Sequence, residues 1–287
     1  MSPKNTAMIL SNYHTHTIYS DGKESLDNTI KKAISLGFHS LGISDHAPVL
    51  FPSNYSIKTE KFDAYIAEIN QLKKHYKSQI DIYLSIEADY IPNHTYTFSY
   101  FREKATFDYI IGSVHMVYHP QTNKMWFIDG GKQEIWDKGL QEVFDGQIKK
   151  AVNLFYQQSM EMIEEQKPEV IGHLDKIKMH NKERFFSVND KWYKALIEET
   201  LSLVKKNNQL LEINTRGWYK GRCKELFPSI PVILQAQKMG IPLILSSDAH
   251  HPDELNAHFN QSLSLLKNVG VGELYEFRAG VWKAALL

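Results

Sequence analysis

The sequence has little of several features that identify whole classes of protein. Cys223 is its only cysteine, so no disulfide can form within the chain and a reducing compartment such as the cytoplasm is expected. Its 33 Lys and Arg residues are balanced by 33 Asp and Glu residues, which leaves no overall basic surface for nucleic acid or anionic lipid. The longest apolar runs are too short to span a membrane, and the one near the N-terminus is too short for a secretion signal. These absences predict a soluble, cytoplasmic protein with neither nucleic acid nor a membrane as partner, and they leave its oligomeric state open.

Short β-rich runs alternate with amphipathic segments through the whole sequence. "MILSNYH", "SLGISDH" and "IPLILSSDAH" have the composition of buried strands, while "SLDNTIKKAISLGF" has helical spacing, with Ser25 as its cap and Gly37 at its end. About seven such strand-then-helix units predict a parallel sheet with helices outside it.

No linker, repeat or low-complexity tract divides the sequence. We therefore expect a single domain over residues 1–287. Segment 132–166 is predicted to form a helix, and segments 91–104 and 116–131 are predicted to lie outside the barrel.

Side chains that bind metals recur where the predicted strands end. The sequence contains 13 histidines, and the residues at or just beyond strand ends are His14, His16, Asp45, His46, Glu87, His115, His173, Asp248 and His250. In a β/α barrel all these strand ends meet on one face, where active sites are built. Residues i and i+2 of a strand point to the same side, about 6.6 Å apart, so that both can bind one ion. The sequence therefore predicts a metal cluster.

Six motifs make a family resemblance specific. "HTHTIYSDG", "ISDHAP", "IEAD", "GSVHM", "GHLD" and "SSDAH" follow one another in this order. The sequence resembles the PHP (polymerase and histidinol phosphatase) family, and within it the branch of monofunctional histidinol-phosphate phosphatases. The resemblance implies a distorted (β/α)7 barrel, similar to a TIM barrel, with a trinuclear metal site at the carboxyl ends of the strands.

The resemblance also implies a ligand set. It assigns His14, His16, Glu87 and Asp248 to the first metal. It assigns the shared Glu87 with His115 and His173 to the second metal, and Asp21, His46 and His250 to the third. It implies catalytic roles for Glu87, Asp248 and His250 around a metal-bridging hydroxide that attacks the phosphorus. Histidine and carboxylate ligands suit Zn²⁺, Mn²⁺ or Fe²⁺ alike. Asp45, beside His46, is expected either to be a structural group or to accept the other N–H of that histidine.

A phosphate substrate also needs fixed cations, and arginine is favoured for its two-pronged geometry. Arg216 is the first candidate, because a basic residue there resembles the family's phosphate-binding position. Lys178, Arg184 and Arg222 are the other candidates for substrate binding.

The leading hypothesis is a metal-dependent phosphomonoesterase that converts L-histidinol phosphate into L-histidinol and phosphate in histidine biosynthesis. The alternative is a PHP phosphoesterase for another small phosphorylated metabolite, such as a sugar phosphate or a nucleotide. A nuclease and a catalytically inactive PHP scaffold are less favoured. The balanced charge argues against the first, and the complete set of nine ligands argues against the second.

Overall fold

The computed structural model describes residues 10–287. The predicted first strand therefore begins outside the described residues, which exclude Met8 and Ile9. The strands are β1 (Ser11–Asn12), β2 (Ser40–Ile43), β3 (Asp81–Asp89), β4 (Tyr109–Ser113), β5 (Met116–His119), β6 (Lys124–Phe127), β7 (Val170–Ile171), β8 (Leu210–Asn214), β9 (Leu243–Ser246), β10 (Glu273–Arg278) and β11 (Val281–Leu286). The helices are α1 (Leu26–Ser35), α2 (Phe62–Tyr76), α3 (Phe98–Lys104), α4 (Gln133–Phe144), α5 (Ile148–Glu161), α6 (Lys191–Lys206), α7 (Arg216–Tyr219), α8 (Ile230–Lys238) and α9 (Phe259–Asn268).

Seven parallel strands form the barrel wall. Their order is β1-β2-β3-β4-β7-β8-β9, and every neighbouring pair is parallel. The chain just beyond β1 pairs with the chain just beyond β9, through a parallel bridge between Thr15 and Ala249. The amide of His16 donates to the Ala249 carbonyl at 2.8 Å, which closes the ring. The predicted (β/α)7 barrel is confirmed.

Helix α1 illustrates how local sequence sets the ends of an element. The Ser25 hydroxyl accepts a hydrogen bond from the Asn28 amide at 3.3 Å, as the predicted cap should. The helix ends just before Gly37, whose φ of +78° reverses the chain at low steric cost.

The predicted single helix over 132–166 is wrong in its continuity. The segment forms α4 and α5, followed by a π-helical turn at Met162–Gln166. The break lies at Asp145 and Gly146, with φ values of +50° and +73° that no right-handed helix can include. The two predicted excursions do lie outside the barrel wall, as the α3 segment and the antiparallel β5–β6 hairpin.

An antiparallel hairpin of β10 and β11, which the sequence did not predict, covers the amino ends of the strands. Its Phe277 carbonyl accepts from the Tyr83 hydroxyl at 2.9 Å, and its Phe277 amide donates to the Tyr13 hydroxyl at 2.7 Å. Tyr109 packs beside Tyr13 in the barrel interior, with ring centroids 6.1 Å apart. The amino end is thus filled by aromatic side chains, which leaves the carboxyl end for chemistry. No helix within residues 10–287 combines the length and the apolar character needed to cross a membrane.

Candidate metal centre

All nine predicted ligands meet at the carboxyl ends of the barrel strands. They are carried by β3 and by the segments that follow β1, β2, β4, β7 and β9. In chain order they are His14, His16, Asp21, His46, Glu87, His115, His173, Asp248 and His250. Seven of the nine side chains are buried, and Asp21 and His250 are partly exposed. The parallel topology alone brings these distant positions together, as the strand-end pattern predicts.

Glu87 lies at the middle of this group. Its Oε2 atom is 3.1 Å from His14 Nε2 and 3.0 Å from His46 Nδ1. Its Oε1 atom is 2.9 Å from His173 Nε2 and 3.4 Å from His115 Nε2. One carboxylate therefore faces histidines from four different strand ends, which is the arrangement needed to bridge two metal ions.

A second group lies around Asp21 and Asp248. Asp21 Oδ1 is 3.2 Å from His250 Nε2 and 3.8 Å from His46 Nε2. Asp248 Oδ1 is 3.3 Å from His16 Nε2 and 3.4 Å from His250 Nδ1. Three sets of side chains offer ligand atoms that lie within 4.8 Å of one another: His16, Asp21, His46 and His250; His14, His16 and Asp248; and His46, Glu87 and His115.

The ligand atoms of this cluster are better suited to binding metal ions than to forming hydrogen bonds with one another. Within residues 10–287, His14 Nε2, His46 Nδ1, Asp21 Oδ1 and both ring nitrogens of His16 are buried without a hydrogen bond. Buried polar atoms are almost always paired, so such a concentration of unpaired ones requires an explanation. Divalent ions coordinated by histidine nitrogens and carboxylate oxygens would satisfy the Asp21 oxygen and one nitrogen of each of these rings.

The electrostatics keep the carboxylates ionised. Burial alone would raise the pKa of Glu87, but the neighbouring His14, His46 and His115 outweigh it and hold that pKa well below its usual value. Burial alone would also raise the pKa of Asp248, but His14 and Arg216 outweigh it and hold that pKa well below its usual value. Both side chains are therefore available as charged ligands near neutral pH.

Two carboxylates that sequence reasoning missed orient the histidines. Glu212 Oε1 lies 2.6 Å from His14 Nδ1, and its Oε2 accepts from the His173 amide at 2.9 Å. Asp89 Oδ1 lies 2.7 Å from His115 Nδ1. The two ring contacts, to His14 and His115, leave the opposite ring nitrogen facing the centre, as partners of metal-binding histidines do. Asp89 stands two residues after Glu87 on one strand, a spacing that could have identified it.

Asp45 has the structural role, the second of the two alternatives expected for it being support of His46. It accepts hydrogen bonds from the Thr17 amide at 2.7 Å, the Thr17 hydroxyl at 2.9 Å and the Ser20 amide at 3.2 Å. Asp45 therefore fixes the turn that carries Asp21, and it is not a hydrogen-bond partner of His46. In extended chain, an aspartate next to a histidine in sequence points away from it, since successive residues face opposite sides.

Of the four basic candidates, the structure brings Arg216 to the cluster. Its Nη1 donates to the Asp248 carbonyl at 2.7 Å, and its Nε lies 4.0 Å from Asp248 Oδ1. Lys178 pairs with Asp175 at 2.9 Å, outside the set of nine.

The other two arginines lie farther out. Arg184 is held by both carboxylate oxygens of Asp137, at 2.6 and 2.9 Å. Arg222 reaches toward Asp129, with its Nη1 atom 3.8 Å from Oδ1.

A buried lysine that sequence reasoning missed lies beside the cluster. Lys176 follows His173 by three residues, and its Nζ is 2.9 Å from Asp129 Oδ2 and 3.9 Å from Asp248 Oδ2. Burial would lower the pKa of Lys176, but Asp129 and Asp248 outweigh it and raise that pKa. The side chain is therefore an ammonium ion within reach of the metal ligands. In the sequence it resembles an ordinary turn lysine.

Comparisons with known proteins agree on one family. The protein named "Probable histidinol-phosphatase" from Schizosaccharomyces pombe is 28% identical over 283 residues, covering 93% of this chain and 89% of that relative. The histidinol-phosphatase of Bacillus subtilis is 23% identical over 255 residues, covering 84% of this chain and 94% of that relative.

Solved structures share the fold. A candidate histidinol phosphatase from Listeria monocytogenes superposes with a TM-score of 0.77 at 22% identity, covering 88% of this chain and 99% of that chain. Histidinol phosphate phosphatase from Lactococcus lactis, complexed with zinc, L-histidinol and phosphate, gives a TM-score of 0.68 at 22% identity, covering 95% of this chain and 98% of that chain. The model of the PHP domain matches residues 12–216. Since that match spans well over half of the sequence, the chain belongs to the PHP domain family.

Proposed function

We propose that this protein is a metal-dependent phosphomonoesterase that hydrolyses L-histidinol phosphate to L-histidinol and phosphate, a reaction of histidine biosynthesis. The observation that carries the proposal is the convergence of nine candidate metal ligands, six of them histidines around Glu87 and Asp248, with the buried Lys176 and the largely buried Arg216 beside them. The names of the relatives and the zinc, L-histidinol and phosphate in the Lactococcus lactis enzyme support the choice of substrate.

The nine side chains would hold three divalent ions. His14, His16, Glu87 and Asp248 would bind the first, and Glu87 would share the second with His115 and His173. Asp21, His46 and His250 would bind the third. Zinc, manganese and iron all suit these ligands. Ions bound there supply Lewis acidity, which lowers the pKa of coordinated water to about 7 and shields the charge of a phosphoryl group.

The charge of the site favours an anionic substrate. Three divalent ions would bring about six positive charges, and Asp21, Glu87 and Asp248 would offset only three of them. Lys176 and Arg216 place two more cations within about 4 Å of Asp248. Such a concentration of buried positive charge is stable only beside an anion. A phosphate monoester dianion supplies that charge where the reaction occurs.

The chain's own residues would bind and orient the substrate. The Arg216 guanidinium is fixed by the Asp248 carbonyl and by the Tyr219 hydroxyl, 3.2 Å away, so it is preorganised before substrate arrives. Lys176 would hold a second phosphoryl oxygen from the β7 side. Glu212 and Asp89 keep their histidines in the ring orientation that ligation requires.

A phosphate-release screen tests the proposal. The metal-loaded protein is assayed on L-histidinol phosphate beside sugar phosphates, nucleotides and single-stranded DNA, with a chelated sample as control. We expect L-histidinol phosphate to give the highest kcat/KM and the chelated sample to be inactive. A higher kcat/KM on a sugar phosphate or nucleotide would contradict the substrate assignment. Cleavage of DNA alone would contradict the phosphomonoesterase assignment.

A further inference from the structure

The β5–β6 excursion brings a carboxylate to the metal centre that no strand end supplies. Trp126 on β6 anchors the hairpin, because its indole nitrogen donates to the Trp136 carbonyl at 2.9 Å. The chain then returns to the barrel, where the Ile128 amide donates to the His115 carbonyl at 3.0 Å. The next residue is Asp129, whose Oδ2 lies 3.9 Å from His115 Nε2.

Asp129 stands between two cations from different loops. Its Oδ2 is 2.9 Å from Lys176 Nζ, in the turn after β7, and its Oδ1 is 3.8 Å from Arg222 Nη1, in the loop after α7. The Lys176 side chain is only 3% exposed and that of Asp129 18% exposed. A buried ammonium on a flexible four-carbon stem needs a partner that both neutralises it and fixes its position.

The loop after Asp129 is shaped to keep this arrangement. The His180 ring nitrogen Nε2 donates to the Gly130 carbonyl, 2.6 Å away. At Gly131, a Cβ atom would lie 3.4 Å from Arg222 Nη2, which is ordinary van der Waals contact, so the guanidinium lies close to this backbone. The backbone that follows Asp129 is thus held by the hydrogen bond from His180, and it lies beside the Arg222 guanidinium at Gly131.

We propose that Asp129 is a positioning residue that holds Lys176 against the metal centre, so that its ammonium meets the phosphoryl group of the substrate, with Arg222 as the outer member of the same network. The inference rests on the proposed function only in taking phosphate as the anion that is bound. It gives the excursion a purpose, which is to tie the loops after β7 and α7 to one carboxylate.

The test is a double-mutant cycle on the affinity of inorganic phosphate, measured by titration calorimetry on the metal-loaded protein. Lys176→Met and Asp129→Ala should each weaken phosphate binding by about tenfold or more, the scale of one charge-assisted hydrogen bond. If Asp129 acts through Lys176, Asp129→Ala should have almost no further effect in the Lys176→Met background. Asp129→Asn keeps an acceptor oxygen and should recover part of the affinity.

Several results would overturn the proposal. One is that the two losses add in the double variant. Another is tighter phosphate binding in Asp129→Ala, which would mean that the carboxylate only repels the anion. A third is loss of metal from Asp129→Asn, which would make the residue a ligand.

The control and the substrate assay separate this inference from the proposed function. Glu164→Gln removes an exposed carboxylate partner of Lys206, 3.0 Å away, and should leave phosphate affinity unchanged. Absence of L-histidinol phosphate hydrolysis by the wild-type protein, with the non-additive cycle intact, would refute the proposed substrate and leave the role of Asp129 standing. The positioning role would also be refuted if Asp129→Asn lowered kcat/KM for phosphate esters that carry an amino group, such as L-histidinol phosphate, but not for phenyl phosphate. The carboxylate would then act on the amino group of the substrate and not on its phosphate.

Discussion

Replacing Glu87 by glutamine removes one negative charge from the centre of five histidine rings while keeping the shape of the side chain. Nitrogen atoms of His14, His16 and His46 lie 3.0 to 3.5 Å from Oε2, and those of His115 and His173 lie 2.9 to 3.4 Å from Oε1. Ions bound by these nitrogens would be direct neighbours of the carboxylate, and about 4 Å serves as an upper distance for estimating the interaction.

At that distance, two unit charges interact by about 4 kcal/mol when the effective dielectric constant is about 20. About 1.4 kcal/mol corresponds to a factor of ten, so metal affinity at the shared position should fall by about 10³-fold or more. Turnover should fall by at least about 10³-fold with it, the scale of losing a main electrostatic contributor.

The assay combines elemental analysis after dialysis with initial rates of phosphate release. Glu87→Gln should lose at least one ion per chain relative to the wild type, and its circular dichroism spectrum should stay unchanged because the barrel core does not depend on this side chain. The exposed variant Glu164→Gln should keep the wild-type metal content and rate. Near-full turnover and metal content in Glu87→Gln would refute the bridging role.

Three further replacements test the substrate contact of Arg216, the hydrogen bond of Glu212 to His14, and the ion pair of Glu276 in the β10–β11 hairpin. Arg216→Ala should lower kcat/KM by about 10²-fold with unchanged metal content, and Arg216→Lys should recover part of this, while Arg102→Ala at a distant ion pair should have no effect; an unaltered kcat/KM for Arg216→Ala would move the phosphate contact elsewhere. Glu212→Gln should weaken metal binding by about 10- to 100-fold in a chelator competition, because the His14 ring loses its charged partner; unchanged affinity would refute that support. Glu276→Gln should lower the free energy of unfolding at pH 7 by about 1–2 kcal/mol. Burial alone would raise the pKa of Glu276, but His39, 2.8 Å away, outweighs it and lowers that pKa. The stabilisation by Glu276 therefore exists above the ordinary pKa of 4.5 and is lost as the pH falls below that value. Denaturant unfolding from pH 3 to pH 7 should show the two proteins converging in acid, and a constant difference would contradict the assignment.

The strand-end pattern located eight of the nine candidate ligands, and the family resemblance added Asp21. A parallel barrel brings every carboxyl strand end to one face, so the positions of His14, Glu87 and Asp248 along the sequence already imply their proximity. Their spacing along each strand also sets which way each side chain points. The alternation of strands and helices likewise determined the barrel.

Residues that act on the ligands could not be found in the same way. Glu212 is a single acid within an apolar strand, and Lys176 is one of several lysines in a turn. The role of Glu212 depends on its contact with His14, 198 residues away in the sequence. The role of Lys176 depends on its contact with Asp129, which the β5–β6 excursion carries. Local pattern holds no information about such pairs.

The break between α4 and α5 was missed for a different reason. The amphipathic spacing continues through both helices, and only Asp145–Gly146 signals the reversal. The β10–β11 hairpin was missed because β11 alternates weakly and is largely exposed. Its place in the fold comes from the aromatic contact of Trp282 with Tyr13 and from the hydrogen bond of the Phe277 amide to the Tyr13 hydroxyl, which only the assembled barrel provides.

Metal titration of the metal-free protein tests the central claim most directly. Zinc or manganese is added stepwise, and phosphate release from L-histidinol phosphate is measured at each metal-to-protein ratio. The account predicts no activity without metal and a rise that reaches its plateau at about three ions per chain. Full activity in the chelated protein, or a plateau at one ion per chain, would contradict it.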